Sequence, residues 1–317
     1  MSKVLVLTDR RYAGQGEGST MPSEYVANVL LEDRLVVEAL QNVGLEAERV
    51  AWCDLKVDWA SASACLFRTT WDYFDRWPEF SPWLAQTSTV TSLLNAPPIL
   101  NWNLDKHYLC DLEAAGCNVV PTRFATKGHE GRLEELAARQ DWREVVIKPA
   151  IAGAAVDTYR IHLDKGSCEP PSDLGTEALW AKLVEKQDML IQPFLTDVIE
   201  AGELSLVWVD GEVTHAVRKR AKKGDFRVQD DHGGTVVSHR PSADELAFAR
   251  GAMQACQAHC KAQGWPLPLY ARVDMVRDPN GAWAVSELEM VEPELWFRFC
   301  PEAADTLARA VKQRIGA

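Results

Sequence analysis

Four charged residues near the C-terminus are spaced as if two neighbouring strands presented them on one face. Residues 269–277 and 282–290 are apolar-rich segments that flank Asp278-Pro-Asn-Gly281, a strong turn signal. Because strand side chains alternate between faces, Arg272 and Asp274 lie on one face of the first strand, and Glu287 and Glu289 lie on one face of the second. Pairing of the two strands can bring all four side chains to the same face of the hairpin. Clustered carboxylates repel each other, and their hard oxygen atoms suit Mg²⁺ that also binds substrate phosphates. The pattern predicts a metal site, and a solvated hairpin with Arg272 paired to Glu287 is the alternative.

Two lysines stand where they can meet phosphate groups. Lys106 lies in the first turns of a predicted helix for which Asn103 is the predicted N-terminal cap, and Lys148 ends a predicted buried strand. The loop at 150–155 that follows Lys148 consists mainly of alanine and glycine, so its backbone N–H groups can approach phosphate oxygens closely. Either lysine by itself is more typical of an ordinary surface position.

Composition narrows the function classes. The 317 residues carry 34 Lys and Arg against 46 Asp and Glu, a formal charge of −12, which disfavours nucleic acid and anionic membranes as partners. No stretch approaches the ~18 apolar residues of a membrane span, and the N-terminal apolar run is too short for a signal peptide. The eight cysteines contain no CxxC pair and read as reduced thiols. We therefore expect a cytoplasmic protein.

The N-terminal third alternates strand and helix patterns. Strands at 3–8, 46–52 and 64–70 with a helix at 25–43 predict a small parallel α/β domain. The glycine-rich segment at 14–20 matches neither GxGxxG nor a Walker A loop, so a flexible loop and a substrate-facing loop both remain open.

The pattern changes near residue 100, after Asn95-Ala-Pro-Pro98. Strands are predicted at 145–149 and 189–195, a hairpin at 204–217 around Asp210-Gly211, and a long helix at 243–263. The fold class is thus α/β at the N-terminus and α+β beyond it.

Taken together, these segments resemble the ATP-grasp superfamily from about residue 101 to 293. Val146-Ile-Lys148-Pro resembles its phosphate-binding strand, Gly202-Glu203 its ribose-binding turn, and the Arg272-to-Glu289 hairpin its metal-binding pair. The stretch 218–234 is similar to the substrate loop of glutathione synthetase and ribosomal-protein glutamate ligase. Finer motifs resemble the cyclo-ligase subgroup of D-cycloserine biosynthesis; they are Arg68–Tyr73, Trp102–Leu109 and Glu287–Pro293.

The resemblance implies a fold of three parts: an N-terminal α/β substrate domain (1–101), a central lid domain (102–201) and a C-terminal domain with the metal hairpin (202–317). It also implies a site for each ligand. The ATP-binding residues are Lys106, Lys148, Gly153, Ala154, Ala155, Gln192, Pro193, Phe194, Leu195 and Glu203; the metal ligands are Asp274, Glu287 and Glu289; the catalytic residues are Arg272 and Arg227; and the substrate-binding residues are Arg68, Asp72, Arg218 and Glu292.

Two departures separate this chain from the wider superfamily. Glu289 stands where most members have asparagine, although the cycloserine-type subgroup shares this feature, and Ala154 and Ala155 replace serines that are common in related ligases. Backbone donors survive the second change, so ATP binding is still expected.

The implied activity is an ATP-dependent carboxylate–amine ligase that forms a C–N bond through an acyl phosphate, on an amino acid, small peptide or similar metabolite, with ring closure as one form. ATP and two Mg²⁺ ions, with Mn²⁺ able to substitute, are the expected cofactors. The partners are small-molecule carboxylate and amine substrates, and a homo-oligomer is left open. A phosphotransferase and a non-catalytic nucleotide-binding regulator remain alternatives. A nucleic-acid or solvated-face role for the basic run at 218–223 also stays open beside substrate binding by Arg218.

Overall fold

The computed structural model describes residues 2–228 and 233–317, and three sheets organise them. The first sheet is wholly parallel, in the order β2-β1-β3-β4. Its elements are β1 (Lys3–Thr8), α1 (Ser23–Asn42), β2 (Glu46–Ala51), β3 (Ala64–Thr69), α2 (Trp77–Thr87) and β4 (Ser92–Leu94). The buried strands and their crossover helices confirm the predicted parallel α/β arrangement.

Two short helices connect this sheet to the second one. They are α3 (Pro97–Asn103) and α4 (Tyr108–Ala114). Asn103 therefore ends a helix and does not cap the start of one, and Lys106 lies between the helices, so both expectations were wrong. The reason is that the Asn103 side chain is used elsewhere: its amide donates to Leu288 O (2.6 Å) and accepts from Met290 N (2.6 Å).

The second sheet is antiparallel, in the order β5-β9-β6-β7-β8. Its elements are β5 (Arg123–Ala125), α5 (Leu133–Ala138), β6 (Glu144–Pro149), β7 (Tyr159–His162), β8 (Ser167–Glu169), α6 (Thr176–Val184) and β9 (Met189–Pro193). The strand that ends in Lys148-Pro149 is central to this sheet, as the apolar run predicted.

The third sheet is also antiparallel, in the order β12-β11-β10-β13-β14. Its elements are α7 (Asp197–Glu200), β10 (Glu203–Val209), β11 (Glu212–Arg220), β12 (Thr235–His239), α8 (Ala243–Ala262), β13 (Tyr270–Arg277), β14 (Trp283–Glu289) and α9 (Glu302–Arg314). Asp210 and Gly211 both have positive φ (47° and 101°), so the predicted type I′ hairpin is confirmed. A capping box at Ser242 and Glu245 starts α8.

The hydrophobic cores of the structure group the elements in a way that the predicted domain limits do not follow in every detail. One core is shared by α1, α9 and the first and third sheets, whereas residues 125–191 form a separate core around the second sheet. Leu109 and Leu112 of α4 pack with α8 and the third sheet, so α4 belongs to the C-terminal core. The domain limits stay a prediction, and this packing favours starting the central domain near residue 120. Within the described residues, no helix is long and apolar enough to cross a bilayer.

A buried amide ties the first sheet to the third. Asn95, 1% exposed, donates to the carbonyls of Tyr270 (2.9 Å) and Met290 (2.8 Å) and accepts from Leu269 N (2.5 Å). We predict that Asn95→Ala lowers the free energy of unfolding by about 2–3 kcal/mol, because it leaves buried polar groups without partners. Urea titration followed by tryptophan fluorescence measures this loss. Asn101→Ala, an exposed position on α3, is the control; an equal effect of the two changes would contradict the role of Asn95.

Candidate functional site

A cavity of about 500 Å³ lies where the second and third sheets meet the carboxyl edge of the first. Its volume is in the range of small-molecule sites, roughly 300–1,000 Å³. All residues predicted to bind ATP or metal line it, as do Arg272, Arg227 and Glu292. Segments that are more than a hundred residues apart in the chain are thus brought to one cavity.

The hairpin of β13 and β14 supplies the charged floor of the cavity. Asp274 lies opposite Glu287 and Arg272 opposite Glu289, with a bulge after Asp274. Arg272 donates to both oxygens of Asp274 (Nη2–Oδ2 2.7 Å, Nε–Oδ1 2.9 Å) and also to Glu289. The predicted shared face is therefore present. The alternative pairing of Arg272 with Glu287 is wrong, because the register places Glu289 across from Arg272.

Asp274 is the most enclosed carboxylate of the site, with 1% exposure. Besides Arg272 it accepts from Ser205 Oγ (2.6 Å) and Lys219 Nζ (3.0 Å). Burial opposes ionisation, but the two cations outweigh it and hold the pKa of Asp274 below its ordinary value. Asp274 is consequently a fixed negative charge.

The other two predicted metal ligands differ in protonation. Burial opposes ionisation of Glu287, yet Lys148 (Nζ–Oε1 2.5 Å) and Lys106 hold the pKa of this carboxyl well below its usual range. Burial, with Asp274 and Glu287 nearby, raises the pKa of Glu289 to about 8 despite Arg272. Two carboxyls on one strand thus sit in opposite electrostatic environments.

The carboxylate oxygens of the cavity show what kind of metal ion it can hold. Among the described residues, no three His, Cys, Asp or Glu side chains stand close enough together to form a ready-made metal cage. Glu287 and Glu289 do offer carboxylate oxygens at the cavity floor. Mg²⁺ is commonly held by one or two carboxylates together with substrate phosphates, so the donor set fits an ion that arrives with a nucleotide.

One side of the cavity is formed by the two lysines that were predicted to meet phosphate and by the loop after β6. Lys106 is buried and donates to Ala152 O (2.6 Å), so it braces the loop as well as facing the cavity. Burial lowers the pKa of Lys106. Ala154 and Ala155 both have positive φ (49° and 53°), a conformation that turns successive N–H groups toward one side.

The segment 192–195 lines the opposite part of the cavity, together with apolar residues such as Val146, Val198 and Val276. The Gln192 amide donates to Thr122 Oγ1 (2.9 Å), so its nitrogen is already engaged. The Arg160 guanidinium lies over the Phe194 ring (3.7 Å to the centroid). Apart from Gln192, this part of the cavity is apolar.

Three predicted substrate residues do not line the cavity. Arg68 is buried and donates to Pro293 O (3.0 Å); Asp72 accepts from Trp52 Nε1 (2.6 Å) and Arg76 (2.8 Å); Arg218 lies 3.6 Å from Glu245 of α8. Arg218 faces away from the cavity because side chains alternate along β11, and its neighbour Lys219 faces the cavity instead.

Several cavity residues escaped the sequence analysis. Lys219 bridges Asp274 and Glu203, and it is recognisable in retrospect because it pairs directly with Glu203 across β10 and β11. The first sheet contributes a further wall, formed by Arg11, Tyr12, Met21, Tyr25, Trp71, Tyr73 and Phe74. Arg11 and Met21 flank the glycine-rich segment, and the structure thus places both ends of that segment beside the cavity. Of the predicted substrate loop, residues 229–232 lie outside the described part of the chain.

Three sheets around a nucleotide-sized cavity, with paired lysines and a carboxylate hairpin, define an ATP-grasp ligase. A profile described as "D-cycloserine synthetase DcsG, N-terminal domain" matches residues 4–95. The cycloserine biosynthesis protein DcsG of Streptomyces lavendulae is 33% identical over 294 residues, 88% of this chain and 92% of that protein. The chain therefore belongs to the DcsG family of ATP-grasp ligases.

Solved structures agree with this assignment. A crystal structure of D-cycloserine synthetase DcsG superposes with a TM-score of 0.82 at 29% identity, covering 99% of this chain and 100% of that one. D-alanine–D-alanine ligase from Bacillus anthracis, at 15% identity, has the same fold, with a TM-score of 0.63 over 99% and 97% of the two chains. The resemblance to ATP-grasp enzymes is confirmed, and the chain is an enzyme that carries out ATP-dependent ligation.

The ion pair between Lys148 and Glu287 leads to a test of nucleotide binding. We predict that Lys148→Met weakens binding of MgADP by about 10- to 100-fold, the loss expected when a hydrogen bond to a charged group disappears. Isothermal calorimetry measures this change, with Lys182→Met on the exposed face of α6 as the matched control. Unchanged affinity in the Lys148 variant would remove that residue from the phosphate site.

Proposed function

We propose that the protein activates the carboxyl group of an amino acid or similar small metabolite as an acyl phosphate and then joins the acyl carbon to nitrogen. The main support for this activity is the position of Arg272. Its guanidinium lies at the cavity wall, 7% exposed, between two carboxylates and beside the face that two lysines prepare for phosphate. A cation fixed in this way serves an oxygen that becomes negative during reaction, which simple nucleotide storage does not require.

The proposed roles follow the lining of the cavity. Lys106 and Lys148, with the backbone of loop 153–155, hold the phosphates of ATP, and segment 192–195 holds adenine. Glu203 accepts hydrogen bonds from the ribose hydroxyls. It uses the carboxylate lone pairs that its contacts with Lys219 and Ser286 leave available. The proposed metal sites are formed by Asp274, Glu287 and Glu289 for two Mg²⁺ ions, with Mn²⁺ able to replace them. The metal, when bound, neutralises phosphate charge.

Positioning and charge neutralisation carry the first step, in which a substrate carboxylate oxygen attacks the γ-phosphorus. In the second step nitrogen attacks the acyl carbon, and Arg272 stabilises the oxyanion that develops. Arg227 faces the same space and is oriented by Asp225 (2.8 Å), and we assign it to the acyl-phosphate oxygens.

Ring closure is the form of ligation that we propose, because the relatives that match this chain along most of its length are named for D-cycloserine. The ring-opened form of D-cycloserine, β-aminooxy-D-alanine, carries a carboxyl group and a nitrogen nucleophile in one molecule. It is therefore the first compound to test.

The experiment incubates the purified protein with β-aminooxy-D-alanine, ATP and Mg²⁺. We expect ADP, orthophosphate and D-cycloserine in equal amounts, and added hydroxylamine should trap a hydroxamate of the activated acyl group. A stable phosphorylated compound without orthophosphate would favour a phosphotransferase and contradict the ligase. If ADP is released only with other carboxylates, the ligase proposal stands and the ring-closure proposal fails.

Arg272 gives a second test. Arg272→Lys keeps a positive charge beside Asp274 but loses the forked geometry, so we predict a 10²- to 10³-fold fall in kcat, roughly the loss of one oxyanion donor. The affinity for MgADP, measured by calorimetry, should stay close to that of the unaltered protein. Arg277→Lys on the exposed end of β13 is the control. A kcat that is unaffected by Arg272→Lys would exclude the oxyanion role.

A further inference from the structure

The segment that follows β14 is held by an unusual set of contacts. Four consecutive carbonyls, those of residues 291–294, each accept a hydrogen bond from a side chain. The donors are Tyr270 OH to Val291 O (2.7 Å), Trp71 Nε1 to Glu292 O (2.9 Å), Arg68 Nη1 to Pro293 O (3.0 Å) and Arg272 Nη1 to Glu294 O (3.4 Å). Because Arg68 and Tyr270 are fully buried, the backbone here is fixed from both the first and the third sheet.

This rigid backbone presents two carboxyl groups to the cavity, those of Glu292 and Glu294. Apart from Glu292, the carboxylates on the inner wall are engaged by cations: Glu203 and Asp274 by Lys219, Glu287 by Lys148, Glu289 by Arg272 and Glu294 by Arg298. Among the described residues, no lysine or arginine forms an ion pair with Glu292. The hydroxyl of buried Tyr73 is a neighbouring group that influences the pKa of Glu292.

The ligation step leaves one proton to be removed. When R–NH₂ attacks the acyl phosphate, the new C–N bond forms, the C–O bond to phosphate breaks, and phosphate leaves with the electron pair of that bond. The nitrogen then carries one proton too many for an amide. A cavity carboxylate that is not held in an ion pair is the group suited to accept it, and efficient proton transfer requires a base whose pKa is near the working pH.

We propose that Glu292 is the general base that takes this proton from the attacking nitrogen, a role that rests on the proposed ligase activity. Tyr73 orients the carboxyl group of Glu292, and the hydrogen bonds to the carbonyls of residues 291–294 hold the backbone of Glu292 in place. The roles of Arg68 and Trp71 are accordingly positioning ones, exerted through the backbone of residues 292 and 293.

Electrostatics of the surroundings support this role. Burial raises the pKa of Glu292 to about 7, although Lys106 and Arg272 lie near enough to favour the ionised form. The charged or titratable groups that face this region are Tyr73, Lys106, Arg272, Glu287 and Glu289. A general base acts when deprotonated, so the rate of ring closure should rise with pH and level off above about pH 7.

The test separates the two chemical steps. Glu292→Gln is supplied with β-aminooxy-D-alanine and MgATP, with and without excess hydroxylamine, which serves as its own base. We expect ADP release and hydroxamate formation in hydroxylamine to remain near those of the unaltered protein, while D-cycloserine formation falls by roughly 10²- to 10⁴-fold. The remaining ring closure should lose its rise through neutral pH. Asp75→Asn, an exposed carboxylate at the rim of the same cavity, is the control.

Two results would overturn the inference. Equal loss of hydroxamate and D-cycloserine would show that Glu292 binds the substrate or supports the fold and is not a base. Full D-cycloserine formation by the variant would show that another group, such as the departing phosphate, takes the proton. Formate added to Glu292→Ala provides a further check, because a small carboxylate that occupies the vacated space should restore ring closure if the base role is correct. Failure of the unaltered protein with both nucleophiles would instead reject β-aminooxy-D-alanine as the substrate, and with it the proposed ring closure on which this inference rests.

Discussion

The rest of the site depends on the contacts of one buried carboxylate, that of Asp274, which is enclosed where β10, β11 and β13 meet. A buried carboxylate is tolerated only with compensating charge and hydrogen bonds, and Arg272, Lys219 and Ser205 provide them. Each of these partners is fixed by the same third sheet. Arg272 then holds Glu289, and Lys219 holds Glu203, so one buried charge determines where the neighbouring side chains of the cavity floor point.

The side chains around this centre belong to two separate hydrophobic cores. The first and third sheets share a core with α1 and α9, so the wall with Glu292 and the floor with Arg272 form one unit. The second sheet, which carries Lys148 and the loop at 150–155, has its own core. The Lys148–Glu287 ion pair spans the cavity between these two cores. A nucleotide that competes for Lys148 would act directly on this contact.

Much of the site was predictable because it lies on regular elements. Strand alternation and a turn signal placed Arg272, Asp274, Glu287 and Glu289 on one face without any further information. The errors arose where long-range contacts decide the outcome: the Asn103 amide is used by backbone groups of β14 and the residue after it, about 185 residues away, and this cannot be read from local capping signals. Lys219 was missed because the sequence of a run of basic residues does not show which side chains face the cavity. That depends on how the strand pairs with its neighbour.

We expect the protein's own cations, above all Lys148, to hold the carboxylates of the hairpin until the phosphates of a nucleotide draw these cations away. Calorimetric titration of Mg²⁺ into the protein, with and without an unhydrolysable ATP analogue, measures this most directly. We predict that Mg²⁺ alone binds weakly and that the analogue strengthens its binding by at least about tenfold, a coupling of about 1.4 kcal/mol, since the phosphates of the analogue draw Lys148 away from Glu287 and supply further oxygen ligands. Equally tight binding of Mg²⁺ in the presence and absence of the analogue would show that the nucleotide does not release the hairpin carboxylates from Lys148.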